Sequence, residues 1–158
     1  MDTSIIEKSI TIVAGLPASG KTTYANRHFI KPLEYDSFLA ALGSSLDLQE
    51  EQDLIYRQFK LKASSGNYDA VVDVFETVES RRFILSALSC KPDLVIVSCP
   101  LEECLKRNSL RIKSKLSNDE IIGLYCAFEP VSIDEGFNSI KIYDSVANRY
   151  IGGSDENF

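Results

Sequence analysis

The stretch Gly15-Leu16-Pro17-Ala18-Ser19-Gly20-Lys21-Thr22, followed by Thr23, decides the fold. It is a complete G-x-x-x-x-G-K-[ST] pattern, and holding phosphate asks for each of its residue types. Gly15 and Gly20 permit backbone conformations closed to residues with a Cβ, so successive N–H groups can turn inward onto phosphate oxygens. Lys21 supplies a point charge for β- and γ-phosphates, and the Thr22 hydroxyl is a ligand for Mg²⁺. Upstream, Ser9-Ile10-Thr11-Ile12-Val13-Ala14 is β-branched and apolar, the profile of a buried strand. Downstream, Thr22 to Phe29 reads as a helix whose positive end faces the phosphates. Pattern and context together predict that residues 15–23 bind ATP or another nucleoside triphosphate with Mg²⁺.

Outward from the loop, strand and helix alternate. Lys31-Pro32 breaks the chain, and Leu33-Glu34-Tyr35-Asp36 is a short second strand. Asp47 and Glu50 are spaced as a capping box opening a helix to about Ala63, and Ser64-Ser65-Gly66-Asn67 stops it. Tyr68 to Val74 is a third strand, Glu79 to Leu88 a helix, and Asp93 to Cys99 a fourth strand buried on both faces. Pro100 opens a helix to about Ile112, where its missing N–H costs nothing. Ser117-Asn118-Asp119-Glu120 is a second capping box, and Pro130 ends the helix it opens. Ser139 to Tyr143 is the last strand. These elements predict one α/β domain of the P-loop NTPase type, with a mostly parallel five-stranded sheet flanked by helices on both faces. Residues 1–150 form that domain, and 151–158 a frayed polar tail.

Bulk properties set limits. The chain has 158 residues, of which 44% are hydrophobic and 25% charged, enough for one core. No apolar run is long enough to cross a bilayer, and Met1-Asp2-Thr3 leads straight into the first strand without signal-peptide architecture, so a cytoplasmic protein is expected. Cys90, Cys99, Cys104 and Cys126 lack metal or redox spacing and read as reduced core residues. A net charge of −6 argues against a protein that coats long nucleic acid. A small acceptor, or the end of a polymer, remains open.

Ligands on such sheets lie beyond the carboxyl ends of the strands, which picks out Asp36, Asp73 and the segment after Cys99. The basic run Lys106, Arg107, Arg111, Lys113 and Lys115 is either a solvated helix face or an anion-binding lid. Arg107 and Arg111, four apart, would share one helical face. Asp36 is either a turn-capping residue or catalytic. The single histidine, His28, reads as a surface or capping residue.

Several of these residues together resemble a family. The loop with Thr22-Thr23-Tyr24-Ala25, Tyr35-Asp36, Val72-Asp73 with Arg81-Arg82, and Leu105-Lys106-Arg107-Asn108-Ser109-x-Arg111 are similar to the kinase domain of bacteriophage polynucleotide kinase. That domain belongs to a group of small P-loop kinases with zeta-toxin-like and antibiotic-phosphorylating enzymes. Phe128-Glu129-Pro130 and Glu135-Gly136-Phe137 follow in the same order, so the likeness runs from about Ile10 to Tyr143. It implies phosphoryl transfer from ATP to a hydroxyl, with Asp36 as general base and Lys21, Arg107 and Arg111 stabilising the transferring charge. Asp73 is left three roles: holding Mg²⁺ alongside Thr22, orienting the acceptor, or pairing with Arg81 or Arg82. Where the phage enzyme grips an acceptor phosphate with arginine, this chain has Leu39. Its Asp73-Val74-Phe75 also lacks two polar groups of the family. Phe38, Leu39 and Phe75 would then wall the acceptor pocket, suited to stacking a base or sugar.

Three functions fit these expectations. The first is a kinase for a nucleic-acid or nucleotide hydroxyl, such as a 5′-hydroxyl or a hydroxymethyl group on a base. The second is a kinase for a small molecule such as a nucleoside monophosphate, amino sugar or antibiotic. The third is a nucleotide-dependent switch with no acceptor, against which the Asp at the second strand end counts.

Overall fold

The structure, a computed structural model, describes residues 9–42, 49–112 and 115–152. Asp47 of the expected capping box, Lys113, Met1-Asp2-Thr3 and the tail from residue 153 lie outside them.

Among the described residues six strands form one sheet, in the order β2-β3-β1-β4-β5-β6. They are β1 (Thr11–Ala14), β2 (Pro32–Glu34), β3 (Ala70–Asp73), β4 (Asp93–Ser98), β5 (Ser139–Asp144) and β6 (Arg149–Gly152). The first five are parallel, and β6 runs antiparallel to β5. Helices α1 (Lys21–His28), α2 (Tyr35–Leu42), α3 (Gln49–Ala63), α4 (Val78–Leu85), α5 (Leu101–Ser109) and α6 (Asn118–Ala127) connect them.

Alternation along the strands divides the core. Ile12, Ala14, Val71 and Leu94 face one side, where Phe59 of α3 and Ile84 of α4 cover them. Val13, Val72, Val95 and Val97 face the other, against Tyr24 and Ala25 of α1. Both faces are therefore apolar and dry, which is why these strands read as near-continuous hydrophobic runs. A smaller cluster of Leu16, Cys104 and Ile121 seats α5 and α6 beside the phosphate loop.

The neighbours β1 and β3 send their connections in opposite directions, to β2 and β4 respectively. A crevice opens above such a switch point, and the 15–22 loop lies in it.

Two expectations are corrected. The sheet has six strands, not five: Asp144 accepts hydrogen bonds from the Val146 and Ala147 N–H groups and turns the chain back into β6. The expected boundary at residue 150 therefore falls inside a strand. Asp36 does not end a strand either. It sits in the first turn of α2, which starts directly after Glu34.

Candidate active site

The 15–22 loop is built around its glycines. Gly15 N–H donates to the Val74 carbonyl at 3.3 Å, joining the loop to the end of β3. A Cβ on Gly15 would lie 2.7 Å from Ser19 Oγ and 2.8 Å from the Val97 carbonyl, so no larger residue fits. Gly20 caps α1 with φ +100°, a conformation that side-chain-bearing residues rarely adopt. No side chain among the described residues caps α1, which leaves its first-turn N–H groups at the crevice for a ligand. A cradle of this kind, closed to any Cβ and rimmed by amides, fits a polyphosphate.

Lys21 is 8% exposed, and its Nζ donates to the Leu16 carbonyl at 3.2 Å. Burial pulls its pKa below the usual lysine value, while Asp73 and Asp36 oppose that shift. Thr22 donates its hydroxyl proton to the Glu34 carboxylate, which also accepts from Ser37 Oγ at 3.0 Å. Thr22, Glu34 and Asp73 are hard oxygen donors of the kind Mg²⁺ takes. Mg²⁺ binds through one or two carboxylates plus substrate phosphate rather than a closed protein cage. Among the described residues no three His, Cys, Asp or Glu side chains gather into such a cage.

Asp73, at the end of β3, accepts from Tyr56 Oη at 3.2 Å. Desolvation pushes its carboxyl up to about 6, with the Val74 N–H and Lys21 acting against the shift and Glu76 and Asp36 with it. Burial and the adjacent Asp73 likewise push the Tyr56 phenol up. Pairing of Asp73 with Arg81 is excluded by where that arginine goes. Arg81 is fully buried and donates to Glu135 at 2.7 Å and to the carbonyls of Phe75, Glu129 and Pro130. Arg82 is exposed.

On the opposite rim, α5 carries Arg107. Its guanidinium bonds Glu103 at 3.1 Å, the Ser19 carbonyl at 3.1 Å and Ser145 Oγ at 3.2 Å. Arg107 thus clamps the phosphate loop from outside. Arg111 does not share a helical face with it, because α5 ends at Ser109. The buried Asn108 side chain accepts from the Leu116 N–H at 3.1 Å and donates to its carbonyl at 2.7 Å, drawing the chain round into a loop. The Ser117 capping box then opens α6 as expected.

Two clefts meet here. One, of about 370 Å³, runs past Gly20, Thr23, Arg107, Tyr143, Ser145 and Asn148. The other, of about 740 Å³, is lined by Pro17, Tyr35, Leu39, Asp73, Glu76 and Lys115, among others. Lys21, Asp36 and Arg111 line both. Leu39 therefore lies in the second cleft, but Phe38 and Phe75 do not wall it. They are 8% and 1% exposed, packed in the core with Phe59, because apolar rings gain more there than at a polar rim. Phe75 has φ +53°, which turns its ring inward and its carbonyl onto Arg81.

The remaining expectations resolve simply. His28 is exposed, stacks on Tyr24 at 4.0 Å and bonds the Tyr24 carbonyl at 2.8 Å. Of the four cysteines expected in the core, Cys104 is buried, Cys90 and Cys99 are half-buried, and Cys126 is exposed. No described helix is long and apolar enough to cross a membrane. Sequence reasoning missed Glu34, Tyr56, Glu76 and Ser145. The strand-end rule that selected Asp36 selects Glu34 equally, but the other three come from helices or loops and carry no pattern.

No protein-family model matches the sequence, and no curated protein matches it. Solved structures do. A structure from the PezAT chromosomal toxin–antitoxin system of Streptococcus pneumoniae superposes with a TM-score of 0.66 at 19% identity, over 99% of this chain and 75% of that one. A sugar kinase from Janibacter sp. HTCC2649 gives 0.63 at 17% identity, over 87% and 85%. The Pnkp1/Rnl/Hen1 complex gives 0.54 at 18% identity, over 83% of this chain and 47% of that one. What is shared is the path of the backbone: the protein has the fold of the P-loop kinases.

Proposed function

We propose that the protein is an ATP-dependent phosphotransferase that moves the γ-phosphate to a hydroxyl of a nucleic acid or nucleotide, a 5′-hydroxyl or a base hydroxymethyl group. One observation carries this reading: Lys21, Asp36 and Arg111 stand at the junction of two clefts, one running from the phosphate loop and one lying beyond it. A donor in the first and an acceptor in the second would meet between a carboxylate and two cations.

The chain's own residues supply the chemistry. Asp36 takes the proton from the acceptor hydroxyl as its oxygen bonds to the γ-phosphorus. The bond from that phosphorus to the β-phosphate oxygen breaks, and ADP leaves. Lys21 and Arg111 compensate charge on the transferring group in a site where burial strengthens each interaction. Arg107 holds the loop to which the phosphates bind. Thr22, with Asp73 or Glu34 as the neighbouring carboxylate, would hold Mg²⁺, which would supply charge compensation for the β- and γ-phosphates.

A second reading, a kinase for a compact small molecule, is favoured by the second cleft itself. Its lining sets Asp73 and Glu76 beside Tyr35 and Leu39 as well as Lys115, and the chain carries a net charge of −6, which does not suit an extended polyanion. Incubation with γ-labelled ATP and a panel of 5′-hydroxyl DNA, RNA, hydroxymethylated DNA, nucleotides and amino sugars tests both. Label on a nucleic acid or nucleotide is the expected result. Label on an amino sugar alone would replace the first reading by the second. ATP hydrolysis without transfer, unaffected by Asp36→Asn, would mark a switch instead.

A further inference from the structure

We propose that Glu34, rather than Asp73, is the carboxylate that prepares the Thr22 hydroxyl for a divalent cation; the inference rests on reading the loop as a site for a metal–nucleotide complex. A threonine hydroxyl has one proton and two lone pairs, and it ligates a cation through a lone pair. Its proton must therefore be directed elsewhere. Here Thr22 Oγ1 donates that proton to Glu34 Oε2, which leaves the lone pairs to the crevice. Ser37 Oγ holds the other carboxylate oxygen at 3.0 Å, fixing the plane of the acceptor.

The sheet explains why Glu34 meets Thr22 and Asp73 does not. In the parallel register Glu34 pairs with Val72, which faces α1. Side chains in register share a face, so Glu34 is delivered to the first turn of α1, where Thr22 stands. Asp73 pairs with Ala14, which faces α3, and its partner is Tyr56 of that helix. A one-residue offset between the ends of β2 and β3 therefore divides the two carboxylates between opposite faces. Partners that orient a metal ligand in this way change metal affinity by about 10- to 100-fold when removed.

The test separates metal from nucleotide. ADP affinity is measured by calorimetry in EDTA, and Mn²⁺ affinity of the protein–ADP complex by the EPR signal of free Mn²⁺. Glu34→Gln is expected to weaken Mn²⁺ binding about 10- to 100-fold while ADP affinity in EDTA does not fall. Asp73→Asn is expected to leave Mn²⁺ affinity close to wild type. Thr22→Val should lose Mn²⁺ affinity too, and adding Glu34→Gln to it should cost nothing further, because Glu34 acts through that hydroxyl. If Glu34→Gln does not fold, the exposed Ser37→Ala carries the test, with weaker Mn²⁺ binding expected. Wild-type Mn²⁺ affinity in the Glu34 or Ser37 variant, a loss in Asp73→Asn as large as in Glu34→Gln, or additive losses with Thr22→Val would each overturn the proposal. Wild-type protein that binds no ADP under either condition would overturn the nucleotide reading beneath it.

Discussion

Asp73 is a carboxyl that folding makes harder to ionise, and its consequence for stability has a definite sign. Its pKa stands at about 6 against an ordinary value of 3.8, so the folded state holds the proton more tightly than the unfolded state does. Stability from this group is complete below the unfolded value and is lost as pH rises from about 4 to 6. The loss amounts to about 3 kcal/mol, at roughly 1.36 kcal/mol for each pH unit between the two values. Asp73→Asn keeps an acceptor for Tyr56 and removes the titration. Thermal unfolding of the metal- and nucleotide-free proteins should find the variant more stable at pH 7 and the gap closed near pH 4; a gap independent of pH would contradict a desolvated carboxylate as its origin. Lys21→Ala should retain the fold and lose several kcal/mol of transition-state stabilisation in turnover. Undiminished turnover would contradict its placement. Single residues are legible in the sequence where the backbone dictates identity, as at Gly15 and Gly20, which admit no Cβ without strain or collision. Phe38 and Phe75 are not legible in that way. Whether an aromatic ring faces a cleft or the core depends on which side of the backbone it leaves, and Phe75 takes an uncommon positive φ.

At the scale of elements, the loop between α5 and α6 is where sequence and structure part most instructively. The Ser117-x-x-Glu120 capping box is readable because its bonds are local, and the structure forms both of them. The end of α5 is not, since Asn108 stops the helix by binding Leu116, eight residues on. The same difficulty hides α2 and β6, a helix that begins without a loop after β2 and a four-residue strand behind a tight turn. Asn108→Ala would leave the Leu116 N–H and carbonyl without their partners, at a cost of about 1–3 kcal/mol each if they stay buried. It would also free the segment that positions Arg111. Urea unfolding should register the lost stability, and turnover should fall by more than ATP affinity does. Arg111→Ala is expected to follow the same kinetic pattern without the stability loss. An Arg111→Ala variant weakened only in ATP affinity would make the residue a binding group and not a catalytic one.

Across the whole molecule, Arg81 does what no element does alone. From α4 it reaches the Phe75 carbonyl beyond β3, the Glu129 and Pro130 carbonyls beyond α6, and the Glu135 carboxylate in the 3-10 turn Ile133–Glu135 that leads to β5. Glu129 adds to the same knot, its N–H on the Glu76 carbonyl and its carboxylate on the Val78 N–H. The Phe128-Glu129-Pro130 and Glu135-Gly136-Phe137 landmarks are visible in the sequence, but their purpose is not, because the central contact joins positions 54 apart. A buried guanidinium with its donors engaged is costly to desolvate, and removing one partner of such a pair exposes that cost. Arg81→Met should therefore lose about 3–5 kcal/mol by denaturant unfolding, since among the described residues Glu135 keeps the Ser132 N–H alone as a partner. Glu135→Gln alone should also destabilise. The double variant should lose much less than the sum of the two, the pair being worth less than either orphaned half. Strict additivity would mean that Arg81 acts through packing alone. The turnover of the double variant then separates stability from function. If the knot sets the height of the Asp73–Glu76 segment above the phosphate loop, turnover of the double variant stays depressed at temperatures where it remains fully folded.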